Sequence, residues 1–317
     1  MKLQNDFGYS TTEKTCKANE ISIFNDQQYT NDIRVGILHN WAVRLNDNYT
    51  IKIKNLHNQL SNLQFIERNG FENGAIWKIE SFNQNYRGIY TSQLIGKHNF
   101  NEGKTKLNWV AGYNQSHNQL PNHKRFRYDS DGKLLIPLGA VQTLNLGRTN
   151  IVLDKKPLMG GVNLLQKLML KKGTAENESQ ELEVKAGVYY EQKDRTFNAR
   201  NLGYVQAKSS LFNIGTLSID QIFIPQNINT TNDVKIDEQT NKSNAYAASN
   251  NLLAFYASGN YSLSKKFNVI ASVRIENIVQ KLNGFDNRDG KPVSPVLNIM
   301  SVLPSMNMTY NFSENLC

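Results

Sequence analysis

Apolar and polar residues alternate with a period of two along most of the chain, in stretches of about ten residues, as strands with one apolar face do. Residues 34–44 form the first clear stretch, and the turn 45–48 follows. In 49–58, Tyr49, Ile51 and Ile53 alternate with Thr50, Lys52 and Lys54. Residues 77–98 read as strand from Tyr86 onward, with the face undecided because Tyr90 and Leu94 oppose Ile89 and Ile95. A connection at 99–104 leads to 105–114, with Leu107, Trp109, Ala111 and Tyr113 on one side. Residues 162–171 read as strand, although their composition also suits an amphipathic helix. Leu182, Val184, Ala186, Val188 and Tyr190 make another face, as do Leu253, Phe255, Ala257, Gly259 and Tyr261. Then Phe267, Val269, Ala271, Val273 and Ile275 oppose Asn268, Ser272, Arg274 and Glu276, and Met306, Met308, Tyr310 and Phe312 close the series.

The connections say more than the strands. Short turns at 45–48, 99–104, 172–180, 262–266 and 313–315 alternate with long polar segments at 59–76, 117–161, 196–250 and 277–301. The long segments carry loop punctuation such as Asn69-Gly70, Asn73-Gly74, Asp131-Gly132, Asn283-Gly284 and Asp289-Gly290. A soluble sandwich or propeller has no reason to place its long loops on every second connection. An antiparallel membrane barrel does, because its two ends face different compartments. The strand faces agree, with apolar and aromatic side chains turned to lipid and Lys, Glu, Arg and Asn turned to a wet lumen. The expected fold is therefore all-β: a partial antiparallel transmembrane β-barrel of about nine to ten strands. Residues 1–33 are expected as an irregular lead-in, and 34–317 as barrel wall with the four long segments as extracellular loops.

Composition narrows the alternatives. The chain has 317 residues, 36 Lys plus Arg against 27 Asp plus Glu (36 − 27 = +9), and 39% hydrophobic residues. That is too apolar for a wholly disordered chain. The mean hydropathy of −0.53 is too polar for a helical membrane protein. The longest apolar run, 134–141, is far short of the roughly 20 residues a membrane helix needs. No charged-then-apolar leader follows Met1. Two cysteines, Cys16 and Cys317, exclude a disulfide framework and a Cys-rich zinc site. Seven prolines, 20 glycines and abundant Asn describe a turn-rich chain.

Candidate chemistry is sparse. Of the histidines His39, His57, His98, His117 and His123, only His117 and His123 share an expected loop, with Asp129 and Asp131 nearby. Their spacing matches no helix-face or finger pattern, so solvated loop residues are the plainer reading than a metal site. There is no Gly-x-Ser-x-Gly elbow, no cysteine beside a base and no Gly-rich phosphate loop. Glu176, Glu178, Glu181 and Glu183 read as a solvated turn running into a lumen-facing stripe rather than an acid/base pair. No catalytic, cofactor-binding or metal residue is expected, and the chain is not expected to be an enzyme. Lys124-Arg125-Phe126-Arg127 with Tyr128 interleaves charge and aromatics as nucleic-acid binders do. No recognition helix or RNA-binding motif accompanies it, so a surface loop meeting solvent, anionic lipid sugars or an anionic ligand is the expectation, with no nucleic acid. Asn-x-Ser/Thr triplets such as 48–50 and 307–309 are expected by chance in so Asn-rich a chain.

Several stretches resemble the barrel of TonB-dependent outer-membrane receptors of the Bacteroidetes type. Residues 9–14, 19–22 and 24–26 are similar to the run that opens such barrels. Residues 86–90 through 96–98, and 185–190 with 195–200, are similar to recurring strands. Tyr256-Ala257 and then Val273-Arg274-Ile275-Glu276 resemble a strand pair ending in Arg-x-Glu, and Leu303-Pro304-Ser305 resembles the motif that opens the next strand. The resemblance implies the barrel portion of a receptor in the outer membrane of a Gram-negative bacterium, taking up a siderophore, vitamin, glycan or peptide. It implies outer-membrane lipid, the periplasmic TonB protein and, as a further option, a surface lipoprotein as partners. The plug domain and the box that engages TonB have no counterpart in the sequence, so an internal piece, continuing at both ends and not functional alone, is the expectation. Two other readings stand beside it: a plug-free porin or adhesin barrel, and a secreted polysaccharide-binding β-protein using Trp41, Trp77 and Trp109 as stacking platforms.

Overall fold

The computed structural model describes residues 2–11, 18–171, 180–207, 217–228, 234–264, 266–310 and 312. They form one antiparallel sheet, in which strands that follow one another in sequence lie side by side. Its long members are β1 (Lys2–Thr11), β2 (Ala18–Arg44), β3 (Tyr49–Glu72), β4 (Ala75–Phe100), β5 (Thr105–Tyr128), β6 (Leu146–Lys171) and β7 (Gln180–Gln206). They continue as β9 (Ala245–Ser264), β10 (Phe267–Phe285) and β12 (Val296–Tyr310). Two short strands hang off this meander: β8 (Val234–Glu238) on β7 and β11 (Pro292–Val293) on β10. The sheet is open, with β1 and β12 at its edges. The only α-helix among the described residues, α1 (Ile219–Ile222), is a single turn, and no helix is long and apolar enough to cross a membrane.

An up-and-down meander puts alternate connections at opposite ends. The tight ones at 45–48, at 101–104 and between Ser264 and Phe267 share one end, as their spacing in sequence predicts. The expected turns at 172–179 and 313–315 lie outside the described residues. At the opposite end the long segments differ from expectation. Residues 59–76 are not a loop: β3 runs to Glu72 and pairs with Ala75 across a two-residue turn. Asn73 (φ 50) and Gly74 (φ 86) both have the positive φ that this tightest hairpin requires. The segments 117–161, 196–250 and 277–301 shrink to connections at 129–145, 207–244 and 286–295, because β5, β6, β7, β9, β10 and β12 extend into them. The expected lead-in 1–33 is likewise largely strand, β1 paired with β2.

Strand length explains these corrections. Strands β2 to β7 run 24–27 residues, or about 80–90 Å at ~3.4 Å per residue. Only about ten residues of a tilted strand are needed to cross a bilayer. Beyond that length both faces can be polar, and a strand that is polar on both faces has lost the alternation that betrays it.

Candidate functional site

The site is the sheet itself, which has one apolar and one polar face. Register places the apolar positions of successive strands side by side. Trp41 pairs with Ile53, Ile53 with Leu94, Leu94 with Ala111, Ala111 with Gly160, Gly160 with Tyr190 and Tyr190 with Leu253. One row nearer the tight turns run Val43, Ile51, Gly96, Trp109, Val162, Val188, Phe255, Ile275 and Val302. This register settles the ambiguous fourth strand: Tyr90 and Leu94 belong to the apolar face, and Ile89 and Ile95 to the other. Nothing in the described chain covers the apolar face, since Trp41 is 60% exposed, Phe255 53% and Val302 59%. Nine strands about 4.8 Å apart and about 25 Å of apolar height make a patch on the order of 1,000 Å². Soluble monomers rarely expose more than a few hundred.

The patch runs obliquely to the hydrogen-bonded rows. On β5 the apolar run Leu107–Tyr113 centres on Val110, whose row passes through Gly161, Tyr189 and Ala254 to Glu276. On β10 the run from Phe267 to Ile275 centres on Ala271, 276 − 271 = 5 residues nearer the tight turns. Five residues over four strand steps is about 4 Å along for every 4.8 Å across, a slope of about 40°. Strands of closed barrels tilt by about 35–45°.

Aromatic rings crowd the tight-turn border of the patch. Tyr49 lies 5.3 Å from His98 and 5.8 Å from Phe100, and Phe267 lies 6.4 Å from Tyr310. Trp109 donates its indole N–H to His98 Nε2 at 2.9 Å. Its ring lies over Gly96, where a Cβ would stand 2.1 Å from the indole nitrogen, so only glycine admits it. Membrane proteins place such aromatic belts at the lipid headgroups.

Between the apolar positions, the other face carries paired polar groups. Arg274 Nε meets Glu276 at 2.7 Å, Lys185 meets Glu183 at 2.9 Å and Lys193 meets Glu191 at 2.5 Å. Tyr256 donates to Asn163 Oδ1 at 2.7 Å, its ring over Gly187. Ala271, Val273 and Ile275 are exposed while Ser272, Arg274 and Glu276 are half-buried, so the polar face is the sheltered one.

The half of the sheet away from the tight turns is built differently. Asp26 accepts two hydrogen bonds from Arg68, at 2.7 and 2.8 Å. Arg127 reaches Glu72 at 2.6 Å and stacks 3.9 Å over Trp77. Arg125 lies among them with no carboxylate at ion-pair distance, and burial together with Arg68 and Arg127 holds its pKa below the usual arginine range. Burial, then the Arg125 charge, pushes His123 down. Burial beside Glu80 pushes the Tyr128 phenol up to about 12. The connections 129–145 and 207–244 fold onto this end around Leu134, Leu146, Ile222 and Val234, each no more than 3% exposed.

The sequence candidates distribute as follows. Lys124 to Tyr128, expected as a surface loop, are the last turnless residues of β5, with Arg125 and Arg127 on the polar face. His117 and His123 are in β5 as well, and do not meet Asp129 or Asp131. His117 Nδ1 bonds Asp154 at 2.6 Å, and Asp129 is occupied by the backbone N–H groups of Asp131 and Lys133. Trp41 and Trp109 face outward on the patch, whereas Trp77 sits under Arg127. Glu183 lies on the polar face as expected, and Glu176 and Glu178 lie outside the described residues. Sequence reasoning missed the Asp26–Arg68 pair, because 42 residues separate its members and only register joins them.

No family model matches the chain, and no curated protein matches it. Among solved structures it is similar to the siderophore receptor PiuA from Acinetobacter baumannii, at 10% identity and a TM-score of 0.44. The match covers 94% of this chain and 46% of that one, so the chain spans about half the length of the structure it matches. Likeness of that degree carries no ligand or activity across.

Proposed function

We propose that the chain is wall of an outer-membrane β-barrel receptor, lipid on the apolar face and an aqueous lumen on the polar one. The observation that carries this reading is the oblique apolar patch. Only a tilted barrel in a layer of fixed height needs its apolar positions to slip by about one residue per strand. In that setting both sheet edges are paired, because hydrocarbon cannot satisfy a free row of N–H and C=O groups. The parts that cross the membrane are the ten or so residues of each strand nearest the tight turns, and the remainder of β2 to β7 projects beyond it. The role is passage or capture of an external ligand without a catalytic step. The energy-coupled, TonB-dependent character, and the Bacteroidetes type in particular, rest on the sequence resemblance. A polysaccharide binder stacking sugars on Trp77 is disfavoured by the guanidinium already on that ring.

Lipid contact tests the reading directly. In single-tryptophan variants reconstituted into vesicles, lipids brominated on the acyl chain should quench Trp109 and Trp41 and leave Trp77 unaffected. A chain that stays monodisperse without detergent and shows no quenching of Trp109 would defeat it.

A further inference from the structure

The polar face contains a cavity of about 700 Å³, with Lys155, Lys193 and Arg195 exposed at its mouth, within the range of about 300–1,000 Å³ that small-molecule sites occupy. Two adjacent rows of the sheet build it. In one, Lys155 of β6 stands directly opposite Arg195 of β7, and the row ends on Leu282 of β10. In the next, Pro157 stands opposite Lys193, and the row ends on Leu297 of β12.

Charge in these rows is unbalanced. Glu191 neutralises Lys193. Arg195 has only the ring of Tyr246, 5.4 Å away, and neither it nor Lys155 has a carboxylate partner among the described residues. Asp194 borders the cavity but alternates to the opposite face, where it accepts from Gln192. Like charges directly opposite each other on neighbouring strands destabilise a sheet, and a bridging anion would reverse that repulsion. Across from the two cations stand Leu282, Pro295, Val296 and Leu297 with Gln280 among them, and Lys281 borders the cavity from the alternate position.

We propose that this cavity binds a small amphipathic oxyanion. Its carboxylate or phosphate bridges Arg195 and Lys155, and its apolar body lies against Pro157, Leu282 and Leu297. Arg195 supplies a planar fork that matches either oxyanion, and Lys155 supplies a point charge. This inference rests on the barrel reading for its biological setting, since it assigns a ligand class to the lumen wall.

Titration of the full chain in nonionic detergent with 2-naphthoate, 2-naphthyl phosphate and neutral 2-naphthamide tests it. Both anions should bind saturably at one site, about tenfold or more tighter than the amide, and weaken with salt. The relative strength of the two anions tells carboxylate from phosphate. The double variant K155Q/R195Q should lose about tenfold for the anions and nothing for the amide. Anions binding no better than naphthamide to the unmodified chain would overturn the proposal whether or not the variant folds, and so would unchanged anion binding by a folded variant. Bromolipid quenching of Trp109 keeps the two readings apart. A quenched protein without anion preference removes only the site, and anion binding by a protein that needs no detergent removes only the membrane.

Discussion

The tight-turn half and the long-connection half of this sheet share strands, hydrogen-bond ladders and twist, yet they solve opposite problems. Of the eleven buried apolar residues among those described, ten lie away from the tight turns, and Ala254 alone lies level with the apolar rows, on the polar face. The tight-turn half displays its large apolar side chains and has no core of its own. The other half packs a small core of its own from two folded-back connections and joins its strands through Asp26–Arg68 and Glu72–Arg127. On the proposed reading the first half is stabilised by lipid, and the second is furnished for water. One pleated sheet can carry both because the backbone ladder is indifferent to which medium its side chains meet.

The largest expected effect separates the halves with two equally exposed residues. Phe255→Arg, in the middle of the apolar rows, should cost about 2–4 kcal/mol of folding stability in vesicles, the usual penalty for a cation on the lipid face. Ile236→Arg on β8, exposed to 58% against 53% for Phe255, should stay within about 0.5 kcal/mol. Urea unfolding of the reconstituted variants measures both. Equal losses would erase the distinction between the halves.

Asp26→Asn should come next. It leaves the Arg68 guanidinium, whose side chain is 27% exposed, without its bidentate partner, at about 2 kcal/mol. Amide exchange should quicken at residues 22–30 and 64–72 and stay unchanged at 33–43. Uniform quickening along β2 would mean that the two halves open as one unit.

The smallest effect is a pH response. Arg200, and after it Thr240, hold the exposed Glu238 carboxyl down to about 2 from the usual 4.5. A depressed folded-state pKa contributes stability above the unfolded value and loses it as pH falls through the folded one. The docking of β8 on β7 should therefore loosen between about pH 4.5 and 2, while β9 and β10 keep their protection. Exchange of the β8 amides across that window reads it, and Arg200→Gln should flatten the response. A β8 that protects equally at both ends of the window would show that backbone pairing alone holds it.

How far the sequence was legible follows from the same division. Alternation is a contrast between two media, so the strands were visible where one face is apolar and the other wet. In 107–113 and 267–275 the alternation names residues that share one face of the sheet. Where both sides are wet the contrast vanishes, and 59–72 or 117–128 looked like loop although they are strand. The Asn73-Gly74 pair suits two positive φ values in succession, so it closes a hairpin rather than opening a long loop. In the sequence the arginines at 125 and 127 read only as charge. That they share a face with Asp26 and Glu72 could not be seen.

Period-two alternation is a local property, so the sequence by itself determined that this chain makes strands, which side chains share a face where the alternation is clean, and where the tight turns near 45–48 and 101–104 fall. Register belongs to the backbone ladder, which bonds any residue to any other. It took the assembled sheet to set Lys155 against Arg195 and Asp26 against Arg68, and to give the apolar runs from β5 to β10 their slope. That slope is the collective product of strand twist and shear across many strands. No single segment encodes it, because no single strand has a neighbour to be displaced from.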